Sequence, residues 1–161
     1  FLQSVPQEDQ EQAMDRFFFR LQRNCHEFEL ILEALNPSES SFEDLSTMPP
    51  STISQEEIRA FKKEKNLHYE EPNGKKTYVD ITSKKWVDHF SDGTYSKLTL
   101  TWTGQYSFSL FYLKSNNFSR SNLSVKGDEY RYTLLSKEEG FYYLALEIPG
   151  KNKVERFKMY Y

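Results

Sequence analysis

Three histidines, one cysteine and a few neighbouring carboxylates are the side chains of this chain whose types could carry a reaction. His26 directly follows Cys25, and a cysteine beside a histidine is the pairing that makes a thiolate nucleophile. The two stand in a helical stretch, where successive side chains project about 100° apart. Cys25 also falls on the apolar stripe of that stretch, so it reads as a buried thiol. Asp88-His89-Phe90-Ser91-Asp92 could supply a hydrogen-bonded acid and base, or a pair of metal ligands, at a strand end. Its spacing is loose, and a solvated turn explains the same residues. His68 lies in a charged connector with no partner in view. No phosphate loop, nucleophile elbow, zinc-ligand spacing or dinucleotide fingerprint occurs. The sequence therefore implies no metal and no cofactor, and catalysis is not the expectation.

The aromatic residues carry a stronger signal. With 13 Phe, 11 Tyr and 2 Trp, rings make up 16% of the chain, and they alternate with small polar residues in the run TWTGQYSFSLFYL, Thr101 to Leu113. Rings present large apolar area with few rotamers, which suits a binding wall as well as a core. Trp102, Tyr106, Phe108, Tyr130, Tyr132 and Tyr143 are the residues expected to contact a ligand. Spacing directs the rings inward, and the expectation is a packed core with a shallow pocket at one end rather than a true ligand cavity.

Two kinds of element must position them. From Glu8 to Leu35, Met14, Phe18, Leu21, Cys25, Phe28, Leu32 and Leu35 recur in an unbroken 4-3-4-3 spacing, which places all seven on one face of a long helix. Phe17 and Ile31 widen that stripe, which favours packing against a sheet over a two-stranded coiled coil. Pro6 and Asn36-Pro37 are suitable stops. Ser38 to Pro50 reads as a polar connector in which Ser41-Phe42-Glu43-Asp44 could cap one short turn. Ser54-Gln55-Glu56-Glu57 is a capping box. It predicts a short surface helix from Gln55 to about Lys65, anchored by Ile58 and Phe61.

After Asn73-Gly74 the apolar period changes to two. Strands are expected at about 76–82, 85–90, 95–103, 106–114, 129–135 and 141–148, with a seventh at 153–161. The fold class this defines is α+β: two N-terminal helices over residues 1–74, then an antiparallel meander over 75–161 that curves into a sheet or barrel, all in one domain. Parity puts Leu98, Leu100 and Trp102 on the same side as Phe108, Leu110 and Tyr112. Pairing Trp102 with Tyr106 across Thr103-Gly104-Gln105 keeps the two faces together. Downstream, Tyr130, Tyr132 and Leu134 are expected opposite Leu146, Leu144 and Tyr142, with Phe157, Met159 and Tyr161 completing the face.

Composition bounds the rest. At 161 residues the chain suits one domain, and its 37% apolar content and mean hydropathy of −0.77 are offset by the rings. No apolar run approaches the roughly 18 residues of a membrane span. The lone Cys25 excludes an internal disulfide. Residues 1–74 hold 7 Lys/Arg against 15 Asp/Glu, a balance of −8, while residues 75–161 hold 14 against 9, a balance of +5. The expectation is scattered, solvated charge; the alternatives are that the acidic part docks on the basic sheet or that the sheet faces an anionic partner. No cluster is dense enough for nucleic acid. Asn117-Phe118-Ser119 and Asn122-Leu123-Ser124 match the glycosylation pattern. A chain beginning at Phe1 fits removal of a signal segment and an extracytoplasmic location, in the periplasm or cell envelope.

The segments SDGTYSKLTLTWTGQYSFSLFYLKS and VKGDEYRYTLLSKEEGFYYLALEI together resemble small lipocalin-like envelope lipoproteins of Gram-negative bacteria. In those proteins a Thr/Ser-flanked Trp strand and a Tyr-rich strand belong to one curved antiparallel sheet. The resemblance covers about half the chain and implies a β-barrel or half-barrel, with no activity attached. The function expected is a non-catalytic binding or accessory protein whose sheet holds an apolar small molecule or a partner segment. One alternative is an interaction module that forms a homodimer through the Met14–Leu35 face. A cone-shaped enzyme of the NTF2-like kind, using Asp88 and His89, is the other.

Overall fold

In the computed structural model, which describes residues 6–37 and 41–161, two helices lead into a closed barrel, with two shorter helices set among its strands. The elements are α1 (Gln7–Asn24), α2 (His26–Leu35), β1 (Glu43–Leu45), α3 (Gln55–Phe61), β2 (Leu67–Glu70), β3 (Lys76–Ile81), β4 (Lys85–His89), β5 (Tyr95–Trp102), β6 (Ser107–Ser115), α4 (Phe118–Leu123), β7 (Glu129–Glu138), β8 (Phe141–Glu147) and β9 (Val154–Tyr160). Strands β2 to β9 form an eight-stranded antiparallel meander, each paired with the next. The barrel closes where His68 of β2 pairs with Tyr160 of β9. Short β1 extends the sheet along the same edge of β9, from Glu43 opposite Arg156 to Leu45 opposite Val154. The chain is thus an α+β protein with a lipocalin-like antiparallel barrel, and its seven expected strands correspond to β3 through β9.

Alternation drives the barrel interior. Leu98, Leu100, Phe108, Leu110, Tyr112, Leu134, Tyr142, Leu144, Phe157 and Met159 are all buried in one continuous core cluster. Registers differ from expectation by two residues. Trp102 lies opposite Phe108, and Leu100 opposite Leu110, so the β5–β6 connection is five residues long. Its end is tied by amide bonds from Thr103 and Gly104 to the Ser107 carbonyl. Between β7 and β8, Tyr132 faces Leu146 and Leu134 faces Leu144. A bulge at Leu135 then lets the chain turn tightly through Glu139-Gly140, with Gly140 at φ 87°, a conformation that disfavours side chains. A slip of two preserves which face each side chain occupies, so the inward set survives the change in register. Tyr161 does not join that face: it is exposed, and its hydroxyl donates to the Glu138 carbonyl at 2.9 Å.

The helices depart further from expectation. The long stripe is two helices, broken at Cys25, whose backbone is extended (φ −120°, ψ 108°). Met14, Phe17, Phe18, Ile31 and Leu35 remain exposed. Because the barrel closes on itself, it has no open sheet face for α1 to cover. Helix α1 packs chiefly on α4 and on α2, with Phe19 edge-on to Phe118 and Phe18 edge-on to Phe28. None of the described helices is long and apolar enough to cross a membrane.

Helix α3 enters the core rather than lying on the surface. Ile58 and Phe61 are 2% and 0% exposed, and Phe61 sits edge-on to Tyr142 with centroids 5.1 Å apart. The helix plugs one end of the barrel, beside the β5–β6 and β7–β8 turns. The capping box forms as expected: the Glu57 amide donates to Ser54 Oγ at 3.2 Å, and the Ser54 amide donates to Glu57 Oε2 at 2.8 Å. Ser54→Ala is expected to lower the free energy of unfolding by about 1 kcal/mol, read as a lower urea midpoint at unchanged slope.

A second, smaller apolar cluster lies outside the barrel wall, where Leu135, Ala145 and Val154 are covered by Leu45 and Met48. It accounts for β1, where the residue types predict a capped turn instead. Both glycosylation-pattern sites lie in α4 or at its cap, where Asn117 Oδ1 accepts from the Arg120 amide at 3.1 Å.

Candidate functional site

The half of the barrel away from α3 is hollow. A cavity of about 800 Å³ opens toward the β2–β3, β4–β5, β6–β7 and β8–β9 connections, and α1 and α2 lie across its mouth. Trp86, Leu110, Tyr132 and Met159 reach it from β4, β6, β7 and β9. Tyr69, Leu98, Tyr112, Leu146 and Phe157 also line it. One barrel therefore contains both answers to what the rings face: a packed half sealed by α3 and an open half that encloses space.

Between the halves lies an aromatic partition. Phe108 and Tyr132 stack with centroids 5.3 Å apart and planes 9° apart. Trp86 stacks against both, at 5.8 Å from Phe108 and 6.0 Å from Tyr132. Trp102 leans on Phe108 at 5.0 Å from the packed side. The structure thus brings Trp102, Phe108 and Tyr132 together. Of the three, Tyr132 lines the cavity, while Phe108 is fully buried in the core. Tyr130 stands at the mouth, where Arg23 Nε donates to its hydroxyl at 3.1 Å and the Ser124 hydroxyl lies 2.5 Å away.

Four of the six expected contact residues do not line the cavity: besides Trp102 and Phe108, Tyr106 and Tyr143 lie away from it. Tyr106 is exposed in the β5–β6 turn at the plugged end, outside strand β6. Tyr143 is on the outer wall, because the pleat turns Tyr142 inward and its neighbour outward. Its ring packs with the outer cluster, under the Arg156 guanidinium at 4.7 Å. In their place the cavity has Trp86, Tyr69, Tyr112 and Phe157. Trp86 was legible as an inward position of β4, two residues before Asp88; Tyr69 belongs to a strand too short and charged to show a period.

The polar groups divide into a deep set and a rim. Asp88 is 9% exposed and lines the cavity, and Trp86 Nε1 donates to its Oδ1 at 2.8 Å. Burial pushes its carboxyl up from 3.8 to about 6, against the Trp86 bond and the Arg120 charge, which favour ionisation. Arg120 reaches in from α4 and donates to both carboxylate oxygens of Glu71 at 2.7 Å. Burial also raises the phenols of Tyr69 and Tyr132 above the usual tyrosine range. At the rim, Lys151 lies 3.0 Å from Glu29 of α2, and Lys153 lies between Glu29, Glu33, Asp44 and Glu155 at 3.2–3.3 Å. Burial raises the Glu155 carboxyl in spite of Lys153. On the opposite rim, Arg20 and Arg23 of α1 both pair with Asp128. The helices are therefore held over the mouth largely by charge.

The histidine constellations do not assemble. Asp88 points inward and His89 outward, where His89 Nε2 is 2.9 Å from Asp80 Oδ2 on the exterior. The pleat separates the pair that an acid–base dyad would need. Cys25 is half-buried at the helix break, not enclosed in a stripe, and its thiol donates to Glu27 at 3.4 Å. His68 stacks on Tyr160 at the barrel seam, with centroids 5.2 Å apart. Among the described residues, no group of three His, Cys, Asp or Glu could hold a metal ion.

No protein-family model, curated protein or solved structure matches this chain. Fold and site alone define its class: an α+β protein with an eight-stranded antiparallel, lipocalin-like barrel, plugged at one end and hollow at the other.

Proposed function

We propose that this protein is a non-catalytic binder whose barrel cavity takes a small molecule with an apolar body. The hollow half carries the reading: its volume of about 800 Å³ falls in the range of small-ligand sites, roughly 300–1,000 Å³. Its wall combines rings and aliphatic side chains with a few placed polar groups, the usual make-up of such sites. The helices across the mouth are held by ion pairs rather than by a deep apolar seam, which supports them as a cover that admits a ligand. An extracytoplasmic location is part of the same proposal and rests on the resemblance to envelope lipoproteins.

Trp86 in the cavity floor reports on occupancy. In a Trp102→Phe background it is the sole tryptophan, and titration with decanol is expected to shift its emission saturably with one molecule bound. Filling the space with Leu146→Trp, followed by calorimetry, should weaken binding by about tenfold or more. Thr101→Ala on the outer wall should leave it unchanged. A linear, unsaturable response, or binding that survives the filled cavity, would remove the proposal.

A further inference from the structure

We infer that the ligand carries a positively charged ammonium group on its apolar body, seated against the free carboxylate oxygen of Asp88 among the rings of the cavity floor; this deepens the binding reading and rests on it.

Asp88 is more than nine-tenths buried, yet among the described residues its Oδ1 alone accepts a hydrogen bond, from Trp86. Oδ2 has no protein donor, and Asp88 lines the cavity. A mostly buried carboxylate whose second oxygen opens to the cavity, held by no donor of the described residues, is an arrangement that a bound cation stabilises. The surroundings suit a cation in a second way. Trp86, Tyr69 and Tyr132 line the same chamber, and the negative faces of such rings attract ammonium groups.

The competing chemistry is an anionic headgroup, and the charges oppose it. Six carboxylates and four cationic side chains line the cavity. Arg120, the cation nearest Asp88 and itself only half-buried, is already held by both oxygens of Glu71. Lys151 and Lys153 are engaged by Glu29 and its acidic neighbours at the rim. Arg23 is taken up by the Tyr130 hydroxyl, the Glu129 carbonyl and Asp128. An incoming carboxylate would have to displace Glu71 beside Asp88. An ammonium would find an acceptor with nothing to displace.

Three probes of equal chain length separate the headgroups: decyltrimethylammonium, decanol and decanoate, each titrated calorimetrically into the wild-type protein at pH 7.5. The ammonium is expected to bind about tenfold or more tightly than either of the others. It has no titrating proton, so its pH dependence reports the protein. Groups acting on Asp88 are Trp86 and His89 of its own strand, Glu71 beside β2 and Arg120 of α4; the phenols of Tyr69 and Tyr132, raised by burial, stay neutral throughout. With the carboxyl titrating near 6, ammonium affinity should fall about tenfold from pH 7.5 to pH 5 while decanol affinity holds. Asp88→Asn keeps the acceptor for Trp86 Nε1; it should reduce ammonium affinity about tenfold and leave decanol within about twofold. Tighter binding of decanoate, equal binding of all three, or an ammonium affinity indifferent to Asp88→Asn overturns the inference and leaves the binding reading standing. Failure of all three probes to bind sinks the binding reading itself.

Discussion

Phe61→Ala is expected to lower the free energy of unfolding by about 3–5 kcal/mol, the usual range for removing a fully buried phenylalanine. Phe61 has no exposed surface, and its ring contacts Phe108 at 6.3 Å and Tyr142 at 5.1 Å. It is the point at which α3 seals the packed half of the barrel. In the same core cluster Leu134 and Leu144 are likewise fully buried, and eight hydrogen-bonded strands cannot close inward to fill the space it leaves. Against a typical total of about 5–15 kcal/mol, such a loss moves the protein near the limit of folding. Urea unfolding followed by far-ultraviolet circular dichroism measures it. Tyr106→Ala, at an exposed ring in the neighbouring turn, should cost less than about 1 kcal/mol. A Phe61→Ala loss of that same small size would mean that α3 is not the plug.

Asp88→Asn is expected to act in the opposite direction and stabilise the ligand-free protein. Burial raises the Asp88 carboxyl from 3.8 to about 6, so between those two values the folded state holds a proton that the unfolded state has lost. Unfolding then becomes easier as pH rises, by about 1.4 kcal/mol per pH unit. The penalty is absent below about pH 4, develops up to about pH 6, and reaches up to about 3 kcal/mol at neutral pH. A neutral asparagine avoids it and still accepts from Trp86. Urea unfolding of both proteins should therefore show the variant more stable at pH 7.5, with the difference shrinking toward pH 4. A variant less stable at pH 7.5 would mean that a protein cation already compensates the carboxylate.

Elements whose signal is local were readable along the chain. Strands β3 to β9 lie within a few residues of their expected ends, because alternation in a pleated strand depends only on neighbouring side chains. The α3 cap is a four-residue motif and forms as written. Where burial depends on distant partners, residue order carries no local signal of the outcome. β1 and β2 are three and four residues long, too short for a period and rich in charge, and they exist because β9 and β3 offer them edges. The helical stripe from Met14 to Leu35 is amphipathic, yet amphipathicity does not name what covers it, and beside a barrel that closes on itself only its middle, Leu21 to Leu32, is half-buried while Met14, Phe18 and Leu35 stay exposed. Hairpin registers slipped by two residues, the one error that alternation cannot detect.

The candidate site shows the same division. Parity gives the inward facing of Trp102, Phe108 and Tyr132 but not the stack of Phe108 and Tyr132 with Trp86, and the same parity turns Tyr143 outward. Asp88 was noticed for its neighbour His89, which the pleat sends outside; its real surroundings, Tyr69, Glu71, Arg120 and Tyr132, come from β2, the turn after it, α4 and β7. Residue order decided that this chain would build an aromatic-faced antiparallel meander behind amphipathic helices, since hydrophobic period and capping act over a few residues. Tertiary structure alone decided that the meander closes, that half of it is hollow, and that one carboxylate faces the hollow with a free oxygen. Volume, closure and charge pairing arise between segments tens of residues apart, and no local pattern encodes them.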